Sequence, residues 1–106
     1  MPKFLIQATY SSDGLLGLVK DKGTGRKAAV QAAIKSLKGK VECMYYAFGS
    51  DDVVMIIDAP DNIAVAAMSL AASSTGLVSI CTTPLLTAEE MDQAIALPLK
   101  YRAPGE

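Results

Sequence analysis

Val53-Val54-Met55-Ile56-Ile57-Asp58 is apolar at five consecutive positions. Before it stand the tetrapeptide Gly49-Ser50-Asp51-Asp52 and a second β-prone run, Lys40 to Phe48. Gly, Ser and Asp in succession form turns, so the two runs read as a β-hairpin. A strand with one face in water alternates apolar and polar residues, whereas an unbroken apolar strand asks for cover on both faces. Helices of the same chain can cover one face. What covers the other is the central question this sequence poses.

Upstream, Lys3 to Tyr10 reads as a strand with Phe4, Ile6, Ala8 and Tyr10 on one face and Leu5, Gln7 and Thr9 on the other. Ser11-Ser12-Asp13-Gly14 supplies helix-capping chemistry ahead of Leu15, Leu16, Leu18 and Val19. Lys22-Gly23-Thr24-Gly25 interrupts that helix, since a glycine in a helix interior costs about 1 kcal/mol. A second segment, recapped by Thr24, places Val30, Ala33, Ile34 and Leu37 on its apolar side, with Gly39 expected at C′. Downstream of the hairpin, Asp61 or Asn62 caps a helix whose apolar side is read from Ile63, Ala66, Ala67 and Leu70. A fourth strand runs from Leu77 to about Thr83, where Pro84 is expected to stop it. Thr87 and Glu90 have capping-box spacing and open a last short helix, ended by Pro98.

The order strand, helix, strand, strand, helix, strand predicts an α+β chain of ferredoxin-like βαββαβ type. That means a four-stranded antiparallel sheet, two helices on one face and a short C-terminal helix besides, with residues 1–106 as one domain. Val54 is expected toward the helices and Met55 on the open face, joined there by Leu5, Cys81 and either Cys43 or Met44. An uncovered apolar face of this kind marks a partner. The expected partner is another copy of the chain, giving a homo-oligomer, dimer or larger, through the open sheet face. The alternative is that Leu85 to Tyr101 folds back over that face, and the two combine if the segment crosses to a neighbour.

Composition narrows the function. Ten basic and eleven acidic residues leave no positive excess to neutralise phosphates, so nucleic acid is not expected as a partner. No basic cluster flanks an apolar face, and Ile63 to Ile80 is broken by Ser73-Ser74-Thr75-Gly76, so neither membrane binding nor a membrane span is expected. The N-terminus turns polar at Gln7, too early for a signal sequence, and the expected location is cytoplasmic. Cys43 and Cys81 lie in apolar runs without CxxC spacing and read as reduced thiols. Histidine is absent, which removes Ser-His and Cys-His nucleophile pairs and histidine metal ligands. Asp51 and Asp52 lie one strand length from Asp58 and Asp61, about 20 Å at the usual rise per residue, too far to share a metal. No metal and no cofactor are expected.

Four pieces of the chain, in order, carry a family resemblance: Lys3-Phe4-Leu5-Ile6-Gln7-Ala8; Tyr45-Tyr46-Ala47-Phe48-Gly49-Ser50-Asp51-Asp52-Val53; Asp58-Ala59-Pro60-Asp61-Asn62; and Thr82-Thr83-Pro84-Leu85-Leu86-Thr87-Ala88-Glu89-Glu90-Met91. Together they resemble the GYD domain family over nearly the whole length. The chain departs from the family at its naming turn, where Asp51 stands in place of the tyrosine. The family is similar to the dimeric α/β barrel group, in which two ferredoxin-like units pack sheet to sheet, and the resemblance implies that association here. Members of the barrel group include cofactor-independent oxygenases, isomerases and haem enzymes; the fold does not choose among them.

Two functional readings follow. In the first, a pocket between sheet and helices, or at the seam between copies, is lined by Leu5, Gln7, Tyr46, Met55 and Cys81. It binds an apolar or aromatic metabolite, with cofactor-free oxidation or isomerisation as its chemistry and Tyr10, Tyr45 or Tyr46 as the polar group. Ordinary core packing of those tyrosines is the simpler explanation. Arg26 and Lys27, just after the glycine break, are candidates for an anion site, against a plain solvated helix break. In the second reading the open face serves association alone, and the chain is a non-catalytic assembly or regulatory module.

Overall fold

Period-two alternation builds the sheet. In the computed structural model, which describes all residues Met1–Glu106, β1 (Lys3–Tyr10) lies between β3 (Val53–Asp58) and β4 (Val78–Leu85), and β2 (Lys40–Tyr46) flanks β3. The order is β2-β3-β1-β4, with every neighbouring pair antiparallel. Two helices, α1 (Ser12–Ser36) and α2 (Asn62–Ser73), lie over one face; α3 (Ala88–Ala96) follows β4. The buried core joins Phe4, Ile6 and Ala8 of β1 and Val53, Met55 and Ile57 of β3 with Met44 of β2, Ile34 of α1 and Val65 and Met68 of α2.

The faces of β3 are the reverse of the sequence expectation. Met55 is 5% exposed and points to the helices, while Val54 and Ile56 are half-buried on the open face. The register explains it: Met55 stands opposite Ile6, on the helix-facing side of β1, and Ile56 stands opposite Leu5. An apolar run carries no alternation from which its phase can be read. β2 shifts register between Val41 and Cys43, which puts Cys43 beside Ile56 on the open face and Met44 beside Met55 on the core side.

The ends of elements also differ in detail. Pro84 does not stop β4, which continues to Leu85; β4 is an edge strand, where a missing N–H is tolerated. β2 ends at Tyr46, two residues before Phe48. α1 does break where the glycines predicted, with Lys22 itself leaving helical geometry at φ 65°. At its C-terminus the left-handed residue is Lys38 rather than Gly39. Lys38 and Gly39 return hydrogen bonds to the Lys35 and Ile34 carbonyls, so Gly39 occupies C″ of a Schellman motif. In α2 the buried side chains are Val65 and Met68, whereas Ile63 and Leu70 of the expected face are exposed; a helix made mostly of apolar residues gives little phase from which to read its inward side.

Ser11 and Asp61 cap α1 and α2, accepting from the Gly14 and Ala64 amides. At Gly14 an added Cβ would collide with the Leu77 carbonyl oxygen, to which Ser11 N–H donates at 2.9 Å; only glycine lets α1 begin this close to β4.

The C-terminal segment does not fold back over the open face. Leu86 to Arg102 is exposed at every residue, with Ile95 at 75% and Leu99 at 82%. The chain measures 57 × 32 × 23 Å, with a radius of gyration of 16.9 Å. A compact chain of this length would give about 13 Å.

Candidate functional site

α1 packs over β2 and α2 over β4, so the central strands lie beneath the gap between the helices. The side chains facing that gap from the helices are largely methyls: Ala29 and Ala33 from α1, Ala67, Ala71 and Ala72 from α2. Each pair spaced four apart falls on one helix face. Small side chains leave the gap unfilled, and a cleft of about 530 Å³ results, within the range of small-molecule sites. Its floor is Ala8, Met44, Val53, Met55, Val78 and Ile80.

Few polar groups face this cleft. Arg26 is the one charged residue among the lining, and its ion-pair partner, Asp21, stands 3.8 Å away, beyond hydrogen-bonding distance. Tyr10 also lines it, and Ser36 spends its hydroxyl on the Ala33 carbonyl. The break at Lys22 gives the second segment of α1 its own start, and Arg26 lies about one turn beyond it.

Tyr46 joins this end of the cleft from β2. Its hydroxyl donates to the Gly23 carbonyl at 2.9 Å, and its ring lies so close to Gly23 that an added Cβ would sit 3.1 Å from it. Burial, and to a smaller degree the neighbouring Tyr10, push the Tyr46 phenol above its ordinary value of 10.0, while Arg26 acts in the opposite direction.

The open face is built differently. Its rows are Cys43, Ile56, Leu5 and Thr83, then Tyr45, Val54, Gln7 and Cys81. Gln7 Nε2 donates to Asp51 Oδ2 at 3.2 Å, and Thr9 Oγ1 donates to Asp51 Oδ1 at 3.3 Å. The neighbouring Asp52 accepts from Tyr10 N–H at 2.8 Å. The hairpin turn is thereby bound to β1 by both its aspartates, and Asp51 engages the polar side chains of Gln7 and Thr9. At the opposite end, Lys3 pairs with Asp58 at 2.8 Å and Glu42 at 2.9 Å, and these bonds raise its pKa.

The residues expected to share one pocket therefore divide. Tyr10 and Met55 line the cleft, as does Arg26, which was expected as part of a separate anion site, and Tyr46 lies outside the lining with its hydroxyl on the Gly23 carbonyl. Leu5, Gln7, Tyr45 and Cys81 lie on the other side of the sheet, Tyr45 69% exposed. Lys27, next to Arg26 in sequence, is exposed and outside the lining. The sequence reading missed Ala29, Ala33, Ala67, Ala71 and Ala72. Their signal was present as alanines repeated at four-residue spacing on two helices, of which Ala33 and Ala67 were read only as apolar-side residues.

No group of three or more His, Cys, Asp or Glu side chains is arranged to hold a metal ion, and no helix is long and apolar enough to cross a membrane. Neither a curated protein nor a solved structure matches the chain. The GYD domain model matches residues 4–95, a span that contains β1 through most of α3 and every residue of the cleft, and the chain belongs to the GYD domain family.

Proposed function

We propose that this protein binds a small, mostly apolar molecule in the cleft between α1, α2 and the sheet. The carrying observation is the cleft itself: about 530 Å³ of unfilled space above the sheet, walled largely by alanines and other apolar side chains, with Tyr10, Arg26 and Ser36 as the polar groups in its lining. Ligand binding is better provided for than turnover. A cofactor-free oxygenase or isomerase acting on an apolar or aromatic metabolite needs a base, and no carboxylate or thiol is in the lining. Partial burial raises the Tyr46 phenol above its ordinary value, the direction that disfavours a phenolate base. Titration with a fluorescent apolar probe tests the reading. Binding should saturate at one site per chain and be abolished by Ala71→Phe, which fills the cleft from α2. Undiminished binding by Ala71→Phe would refute it.

The strand order β2-β3-β1-β4, with both long helices on one face, supports a ferredoxin-like reading of the fold. The half-buried Leu5, Val54 and Ile56 support a homo-oligomer joined through the open face, as in dimeric α/β barrels. A second reading, a non-catalytic assembly or regulatory module, draws on α3. A nine-residue helix is marginal in water by itself, yet α3 buries no residue against its own chain. Sedimentation equilibrium decides the association: a monomer at all concentrations would refute it.

A further inference from the structure

We infer that the ligand of the cleft is an apolar monoanion, a carboxylate carried on a hydrophobic body, seated with its charged end at Arg26. The inference rests on the cleft reading and adds the chemical class of its occupant.

Charge is the first argument. Within the lining, Arg26 is the sole charged side chain, so the site holds one positive charge and no negative one. Its partner Asp21 is half-exposed and 3.8 Å distant, a separation that leaves the guanidinium donors without a hydrogen bond to that carboxylate. A guanidinium presents a fork of donors that matches a carboxylate in two parallel bonds. One cation against an apolar wall matches one negative charge. A phosphate monoester would carry a second charge with no counterpart in the lining.

Shape is the second argument. Arg26 and Tyr10 are the polar groups of the lining apart from Ser36, whose hydroxyl donates to the Ala33 carbonyl, and the other walls include methyl and thioether groups from Ala33, Ala71, Met44 and Met68. A molecule filling this space places its polar end beside Arg26 and its apolar body along the alanines. Methionines in floor and wall adapt to a flat or flexible body alike. Tyr10 stands in the same lining, where its hydroxyl offers a further donor to the bound carboxylate.

The test compares 1-pyrenebutyric acid with 1-pyrenebutanol, which share a fluorescent body and differ in charge, at neutral pH on the full chain. The acid should bind roughly tenfold or more tightly than the alcohol, the usual scale for a hydrogen bond to a charged group. Arg26→Gln should weaken the acid to the level of the alcohol and leave the alcohol unchanged. Lys27→Gln removes a neighbouring charge outside the lining and should preserve the preference. Equal affinity for acid and alcohol in the unaltered protein would overturn the anion inference while leaving the cleft reading intact. So would a preference that Arg26→Gln retains, or one that Lys27→Gln abolishes. Absence of binding by both probes, or binding that Ala71→Phe does not alter, would overturn the cleft reading and the anion inference with it.

Discussion

The Tyr46 hydroxyl donates to the Gly23 carbonyl, joining the end of β2 to the break in α1. A bond of this kind contributes about 1 kcal/mol, so Tyr46→Phe should lower unfolding stability by that amount in urea titration. The pH dependence has a definite sign. The folded-state pKa of Tyr46 is raised above 10.0, so its contribution is complete below that value and is lost as pH rises through the unfolded and then the folded value. Tyr46→Phe should therefore flatten the decline in stability above pH 10. An unchanged alkaline slope would show that this phenol titrates alike in both states.

Met55 and Ile56 are neighbours with opposite surroundings, and the same substitution should have different effects at each. Met55→Asp places a carboxylate in the core and should destabilise the fold by about 4 kcal/mol or more, visible as lost cooperative melting. Ile56→Asp alters only the open face and should preserve the melt while dispersing the proposed oligomer in sedimentation velocity. If the two variants exchange these behaviours, the faces of β3 are assigned the wrong way round.

Two glycines of α1 offer a second contrast. Gly14→Ala should destabilise by roughly 2 kcal/mol, because the new methyl meets the Leu77 carbonyl. Gly17→Ala meets nothing within 4 Å and should stabilise by about 0.5–1 kcal/mol. Thermal melts of the two variants should move in opposite directions.

α3 should respond to acid more than the rest of the chain. The Thr87 backbone amide, and next its side chain, hold the Glu90 carboxylate below its ordinary value of 4.5. Its stabilising contribution is thus present above pH 4.5 and is lost as pH falls through the lower folded value. Protection of the Ala88–Ala96 amides, taken relative to the intrinsic exchange rate at each pH, should fall on acidification below pH 4.5, and Thr87→Ala, which costs about 1 kcal/mol at a cap, should lower it already at neutral pH. Identical exchange in Thr87→Ala and the parent protein would show that the capping box does not hold this helix.

How much was legible in the sequence depended on whether a segment carried contrast. β1 mixes Gln7 and Thr9 with Phe4 and Ile6, and its faces were read correctly. The Thr87–Glu90 capping box was read from spacing alone, and the α1 break from its glycines. β3 is apolar at every position before Asp58 and its inward face was assigned wrongly; α2 is mostly apolar, and of its expected inward residues Ile63 and Leu70 are exposed while Ala67 lines the cleft. The cleft was least legible, because a cavity arises from side chains that fail to meet. Alanine gives the same signal in a tight helix contact as in a gap.

The two sides of the cleft differ in what they can change. Its floor consists of strand residues whose partners across the sheet fix their positions, so altering them disturbs the register of four strands. Its walls include alanines on helices that are anchored outside the cleft, through Ile34 of α1 and Val65 of α2. Exchange of Ala29, Ala33, Ala67 or Ala71 for valine or leucine would shorten the space stepwise without moving a strand. For the ligand proposed above, selectivity for length would then be a graded property of four helix positions, adjustable independently of the foldedness of the sheet beneath them.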